Sequence, residues 1–179
     1  MKPGILFMAE MGTGVVILLV GGFIALIVVL AIVGKRATDK SIAQGKMLKR
    51  SSDFMEYAEV FTTRPLPFQE LANQVKQIQI DRLKIEMKFS QYGATFVCSP
   101  GFISGWTASL NELEVPDGRT DISRFRFEFT HWTEKNGSAE GGSLMNRFLT
   151  EIEKAVLTCD WNATVHSRPL KIQSKRSFF

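Results

Sequence analysis

The chain has 179 residues, with 22 lysine and arginine against 18 aspartate and glutamate side chains and a formal net charge of +4. The positive excess is local, because residues 1–50 hold seven basic and two acidic side chains whereas residues 51–179 hold fifteen and sixteen. Since nucleic-acid binding requires a folded part with a basic surface, this balance argues against a nucleic-acid partner.

An apolar run near the N-terminus is the first element of the chain. It extends from Val15 to Val33, nineteen residues without a charged or strongly polar side chain. A helix of that length is about 28 Å long, close to the thickness of about 30 Å of a bilayer's hydrocarbon core. A helix also satisfies all of its backbone hydrogen bonds internally, as the lipid interior demands. We therefore predict a short N-terminal tail over residues 1–11 and one transmembrane helix over residues 12–34.

Three other interpretations of the run are weaker. A buried helix of a soluble protein is rarely apolar on every face over five turns. A cleaved signal peptide carries its positive charges before a shorter apolar region, yet here only Lys2 precedes the run. A pore-forming segment stays open as a third interpretation, although no other feature of the sequence asks for it.

Small residues within the run indicate a possible helix–helix contact. Gly21 and Ala25 are four positions apart, and Gly22 lies beside them. Small residues at this spacing allow two helices in a membrane to approach closely. A homodimer, or a membrane partner that contacts this face, is therefore a candidate interaction.

Basic residues after the apolar run set its predicted orientation. Before the run, the charge of Lys2 is offset by that of Glu10. After the run, Asp39 is the one acidic residue as far as position 50, and six side chains are basic, namely Lys35, Arg36, Lys40, Lys46, Lys49 and Arg50. Basic residues close to a span favour the cytoplasmic side. We therefore predict that the N-terminus lies outside and the C-terminal domain in the cytoplasm. We also expect the six basic residues, on a linker or helical extension over residues 35–53, to contact anionic lipid headgroups.

The first half of the predicted domain, which covers residues 54–173, alternates between β and α patterns. The segment Phe54–Thr62 is either a strand or a short helix, and Pro67 starts an amphipathic helix whose apolar stripe continues to Ile78. Residues 83–89 alternate strictly between apolar and polar side chains, as a half-buried strand does. Further strands are predicted at residues 94–98 and 105–115, the latter with a bulge or a break near Asn111.

The second half contains the clearest strand and the longer amphipathic helix. Phe125, Phe127, Phe129 and His131 share one face of a strand over residues 124–131. After a flexible loop over residues 135–142, Ser143 is predicted to cap a helix that ends near Cys159. A last edge strand is expected over residues 164–173, and the basic tail over residues 174–179 is expected to fray.

These elements predict an α+β fold. Strands with one polar and one apolar face are typical of antiparallel sheets, and two amphipathic helices are enough to cover one face. The predicted architecture is therefore one N-terminal transmembrane helix followed by a two-layer domain of an antiparallel sheet, about 4–5 strands, packed with two amphipathic helices.

Catalytic and cofactor signatures do not appear in the sequence. It has no phosphate-binding loop, no dinucleotide fingerprint, no zinc-protease motif and no nucleophile elbow, so we predict no catalytic, cofactor-binding or metal residue. The nearest approach to a nucleophilic pair is Cys98 or Cys159 with His131. We expect both thiols to be buried and inert, and His131 to be part of the core or the sheet edge.

Three functions remain compatible with the sequence. The first is an interaction module, tethered to the bilayer, that binds a protein or lipid partner. The second is an accessory subunit of a larger membrane complex, and the third is a membrane-surface enzyme without a recognisable motif. We favour the first, because it needs only the span, the basic stretch and a folded domain.

Overall fold

The computed structural model describes residues 13–135, 137–169 and 177–178, so the predicted N-terminal tail over residues 1–11 lies outside the described residues. The chain divides into two compact units, Met1–Gly45 and Lys46–Phe179. The second unit begins at Lys46, earlier than the start near Phe54 that the sequence suggested. The reason is that the side chain of Met47, within the predicted linker, is only 4% exposed.

The first unit contains one long helix, α1, which runs over Thr13–Ala43. It continues past residue 34 into the basic stretch, and it ends where Gly45 adopts a left-handed conformation (φ +65°) that favours glycine. Among the described residues, it is the helix that is long and apolar enough to cross a membrane, by length and composition alone. Its large apolar side chains are exposed, with Phe23 at 64% and Leu30 at 62%.

The second unit is built on a six-stranded sheet. Its strands are β1 (Tyr57–Thr63), β2 (Lys84–Phe89), β3 (Gly93–Ser99), β4 (Trp106–Leu113), β5 (Ser123–His131) and β8 (Thr164–Pro169). Their order across the sheet is β2-β3-β4-β5-β1-β8, and every neighbouring pair is antiparallel. The predicted antiparallel sheet is therefore confirmed, with six strands rather than four or five. The ambiguous segment at residue 54 forms a 3-10 turn followed by β1, which lies inside the sheet.

Two amphipathic helices cover one face of the sheet, as predicted. These are α2 (Phe68–Val75), which comes directly after Pro67, and α3 (Gly142–Cys159). The Phe148 ring of α3 packs 5.3 Å from that of Phe96, and the Phe68 ring of α2 lies 6.3 Å from that of Phe125 (centroid distances). Alternate strand residues are buried beneath these helices because successive side chains of a strand point to opposite faces.

A β-bulge makes the C-terminal end of β5 differ from the prediction. Ala108 pairs with Phe129 but Thr107 pairs with His131, so Thr130 is the extra residue. The register shift therefore lies at this end of the strand pair and not near Asn111, where the sequence suggested a bulge or a break. β4 itself ends at Leu113. Because an extra residue reverses the alternation of side chains, His131 is exposed, and Trp132 is buried in its place at 2% exposure. The prediction that His131 continues the phenylalanine face is therefore wrong.

The segment before α3 is more ordered than the predicted flexible loop. It contains β6 (Thr133–Lys135) and β7 (Ser138–Ala139), and β6 also pairs with β9 (Ser177–Phe178), which belongs to the tail predicted to fray. The other residues of that tail lie outside the described residues. Residues 170–173 of the predicted edge strand also lie outside them.

The start of α3 also differs from the sequence prediction. Gly141, at φ +82°, occupies the cap position, and no side chain caps the helix. A Cβ atom at Gly141 would come within 2.7 Å of Ile103 Cδ1, the end of a flexible side chain, so the left-handed conformation is the main reason that this position favours glycine. Ser143 lies inside the helix, and its hydroxyl donates to the Met47 sulfur at 4.0 Å.

Candidate functional site

The two cysteines are free and buried, as predicted. Burial raises the pKa of the Cys98 thiol to about 12, and it also raises the pKa of the Cys159 thiol. A thiol needs a lowered pKa to act as a nucleophile near neutral pH. Because His131 is exposed and both thiols stay protonated, the geometry does not support thiol chemistry at these residues.

Metal ligands do not cluster within the described part of the chain. No group of three or more histidine, cysteine, aspartate or glutamate side chains is placed to hold an ion there.

The residues predicted to lie in the membrane all fall on α1, from Val15 to Val33. At Gly21 and Gly22, an added Cβ atom would meet nothing within 4 Å. Ala25 lies one turn further along the helix. The small-residue face is therefore open enough for a second helix to approach, and its use in assembly stays a prediction.

The six basic residues predicted to face lipid divide into two groups. Lys35, Arg36 and Lys40 are exposed on α1, and Lys46 and Lys49 are exposed in the segment after it. Arg50 is different. Its side chain is 9% exposed and lies 2.6 Å from the Glu153 carboxylate, itself 12% exposed. The lipid contact predicted from the sequence therefore depends on the other five.

Arg50 belongs to a polar cluster that we call the clasp, formed by residues 47–50 on one side and α3 on the other. Its guanidinium contacts the side-chain oxygen atoms of Asn146 and Thr150. Asn146 Nδ2 also donates to the Leu48 carbonyl at 2.8 Å, and the Leu48 amide donates to Thr150 Oγ1 at 3.2 Å. Burial raises the pKa of Glu153, and Arg50 opposes that shift.

A groove with a partly apolar lining lies at the end of α3. Its volume is about 560 Å³, and it lies between the C-terminal end of β1, the last turn of α3 and the start of β8. Its lining combines apolar side chains with hydroxyl and amide groups, namely Thr62, Thr63, Arg64, Ile122, Leu157, Thr158, Cys159, Asp160, Trp161, Asn162 and Thr164.

Two apolar side chains of the groove are exposed to solvent. Trp161 is 82% exposed and Leu157 is 47% exposed. A single exposed leucine is ordinary, but an exposed tryptophan beside a cavity is typical of binding surfaces, because its large ring gains much by burial. We therefore take this groove as the candidate functional site.

Hydrogen bonds hold the floor of the groove in place. The buried Asp160 carboxylate accepts from the Arg64 amide at 2.7 Å and from the Asn162 amide at 3.1 Å. The Arg64 guanidinium donates to the Cys159 carbonyl at 2.9 Å. The backbone hydrogen bond from Arg64 is the main cause of the lowered pKa of Asp160. Because two amides already bind it, Asp160 is a structural anion rather than an acid or base poised for catalysis.

Sequence patterns did not identify the groove. Trp161 lies just beyond the end of α3 and belongs to no periodic stripe, so nothing local distinguishes it from a tryptophan of the core. Its exposure depends on β1 and β8, which meet α3 only in the folded domain. The one available signal was a large aromatic residue next to a helix end.

No protein-family model matches this chain, and the comparisons with curated proteins and with solved structures find no significant similarity. Its function is therefore inferred from the site alone.

Proposed function

We propose that this chain is a single-pass membrane protein whose domain binds a partner protein through the groove around Trp161. α1 is the bilayer anchor, with the N-terminus outside and the domain in the cytoplasm. The observation that carries the binding role is the 82% exposure of Trp161 beside the exposed Leu157. Burial of such an aromatic anchor is worth on the order of 2–4 kcal/mol in protein interfaces.

The exposed apolar surface of α1 supports the anchor. A chain that left side chains such as Phe23 and Leu30 in water along the whole helix would carry a large aggregation liability. Bilayer burial removes that surface from water without any protein partner. The five exposed basic residues after the span support a cytoplasmic domain and a contact with anionic headgroups.

The short connection after α1 supports a function at the membrane surface. Gln44 and Gly45 separate the last residue of α1 from Lys46, where the second unit begins. Two extended residues span at most about 7 Å.

The experiment on the groove uses photo-cross-linking in cells that produce the full-length chain. A photoreactive amino acid at position 157 is expected to give an adduct of discrete mass, and the same probe at position 102 is the matched control. Phe102 is 71% exposed but does not line the groove. The additional substitution Trp161→Ala should abolish the adduct. Adducts from position 102 alone would contradict the assignment of the groove.

Protease treatment of sealed inside-out vesicles tests the orientation. The cytoplasmic face of such vesicles is exposed, so we expect proteolysis of the domain from Phe54 onward. A domain that is cleaved only after the vesicles are opened would contradict the proposed orientation while leaving the anchor intact.

A role as an accessory subunit is the second candidate. The small-residue surface of α1 at Gly21 and Gly22 favours this role, because a partner's helix can approach there without a clash. Gly21→Leu should then release the chain from a complex in mild detergent, whereas Leu30→Ala should not.

A further inference from the structure

The face of the sheet that α2 and α3 leave uncovered has a distinctive order of side chains. We call it the open face and define it by cross-strand partners. One row across it consists of Lys88, Thr95, Ser109 and Glu128, and the next consists of Asn111, Arg126, Val60 and His166. Directly paired residues of antiparallel strands lie on the same face. These side chains therefore share the face opposite the phenylalanine core.

The open face is polar, with small and long side chains side by side. Its exposed side chains on β2, β3 and β8 include those of Lys84, Lys88, Thr95 and His166. At its centre, Val60 is 2% exposed although it points away from the helices, and its cross-strand partner is Arg126. Long side chains that lie along a sheet cover small apolar neighbours while their charged ends stay at the surface. On this face, buried apolar side chains such as Val60 therefore lie beneath the long charged side chains that reach the solvent.

Positive charge exceeds negative charge on this face. Its acidic residues are both paired, Glu86 with Lys84 at 2.8 Å and Glu128 with Arg126 at 2.5 Å. Lys88 and Arg124 form no ion pair with a carboxylate of the described residues. Because residues 51–179 hold one more acid than base overall, the basic excess is specific to this face.

We propose that the open face docks onto anionic lipid headgroups of the bilayer in which α1 is anchored. The proposal rests on the proposed span and adds a second membrane contact, made by the folded domain. A basic side chain near an anionic surface raises affinity about fivefold. Two free cations alone bind weakly, but the anchor makes the contact intramolecular and gives it a high effective concentration. An acidic protein fits the same charge but lacks this advantage.

The test measures how fast lysines react with an amine-acetylating reagent when the full-length chain is in lipid nanodiscs. One set of discs contains phosphatidylcholine alone, and the other also contains phosphatidylserine. In anionic discs, acetylation of Lys84 and Lys88 should slow about fivefold, whereas Lys154, exposed on α3, should react equally in both. The protection should disappear at about 1 M salt, where charges are screened beyond about 3 Å.

Matched variants separate the face from the overall charge. Lys88→Gln/Arg124→Gln should remove the lipid-dependent protection of Lys84. The control Lys76→Gln/Lys154→Gln, which loses the same charge just after α2 and on α3, should keep it. Equal acetylation of Lys84 in both discs would overturn the proposal. Protection that required added soluble cell protein, and not anionic lipid, would also overturn it and indicate an acidic protein partner.

A separate measurement distinguishes this proposal from the anchor. Resistance of the chain to alkaline carbonate extraction reports on α1 alone. A chain that is extracted from membranes would refute the proposed span, whereas a resistant chain with unprotected Lys84 would refute only the docking of the open face.

Discussion

α1 and α3, the two long helices of this chain, treat their apolar side chains in opposite ways. Phe23 of α1 is 64% exposed, whereas Phe148 of α3 is fully buried. α3 buries the apolar residues of one stripe against the sheet and leaves Leu157 exposed, whereas α1 is apolar on every face as far as Val33. α3 is therefore completed by its own domain, while α1 needs a second medium or partner to remove its surface from water.

Matched phenylalanine substitutions sharpen this comparison most. Phe148→Ala should lower the free energy of unfolding of the domain by about 3–5 kcal/mol, because it opens a cavity beside the Phe96 and Phe127 rings. Phe23→Ala should change it by less than about 0.5 kcal/mol. Denaturant unfolding of the full-length chain in a non-ionic detergent, followed by near-ultraviolet circular dichroism, measures both. Similar losses for the two variants would contradict the division into two units.

The clasp on α3 distinguishes Arg50 from the other basic residues near α1. Arg50→Ala should lower the free energy of unfolding by about 3 kcal/mol, since it leaves the Glu153 carboxylate largely buried without its counter-charge. The exposed neighbour is the control, and Lys49→Ala should have little effect in the same unfolding assay. The double variant Arg50→Met/Glu153→Leu should recover most of the loss. A cost as small for Arg50→Ala as for Lys49→Ala would show that the clasp does not stabilise the domain.

Two leucines of similar exposure test whether α1 and α3 face different media. Leu26 of α1 is 54% exposed and Leu157 of α3 is 47% exposed. Leu26→Lys should cost about 2.5 kcal/mol of membrane insertion, because it places a charge near the bilayer centre. Leu157→Lys faces water and should leave insertion unchanged. The fraction that resists alkaline carbonate extraction measures the difference, and equal fractions would break the comparison.

The smallest effect concerns the end of α3, where Asp160 holds the groove floor. Its lowered pKa in the folded state means that the unfolded chain binds the proton first as the pH falls. The stabilisation by Asp160 is therefore present above its ordinary pKa of 3.8 and is lost as the pH falls below that value. Asp160→Asn should make the unfolding free energy less dependent on pH below about 4. A variant with the same pH dependence as the original chain would contradict this role.

Local sequence patterns were sufficient to predict most helices and strands, but they were insufficient to predict how the strands pair. Strict alternation predicted β2 and β5, and the apolar stripe predicted α3, because these properties repeat within a few residues. The bulge at Thr130 could not be predicted, since it depends on how β4 pairs with β5. The burial of Trp132 in place of His131 results from that pairing. The segment over Tyr57–Thr63 stayed ambiguous because its strand character depends on β5 and β8 as neighbours.

The candidate surfaces were less predictable than the fold. The overall charge of residues 51–179 concealed the basic open face, because composition counts side chains without assigning them to a face. The one local signal at Trp161, a large aromatic residue next to a helix end, does not reveal that its side chain is exposed. The groove beside it is formed by β1, β8 and α3, and β1 is separated from the end of α3 by about a hundred positions of the chain.

By itself, the sequence determined the apolar helix, its basic flank and the α+β character of the C-terminal domain, because hydropathy and periodicity are properties of neighbouring residues. Only the tertiary structure decided which charges are free and which are paired. Arg50 shows the reason, since it is one of six similar basic residues in the sequence but contacts Thr150, 100 positions away. Contacts at that separation depend on the packing of the whole domain, and no local pattern encodes them.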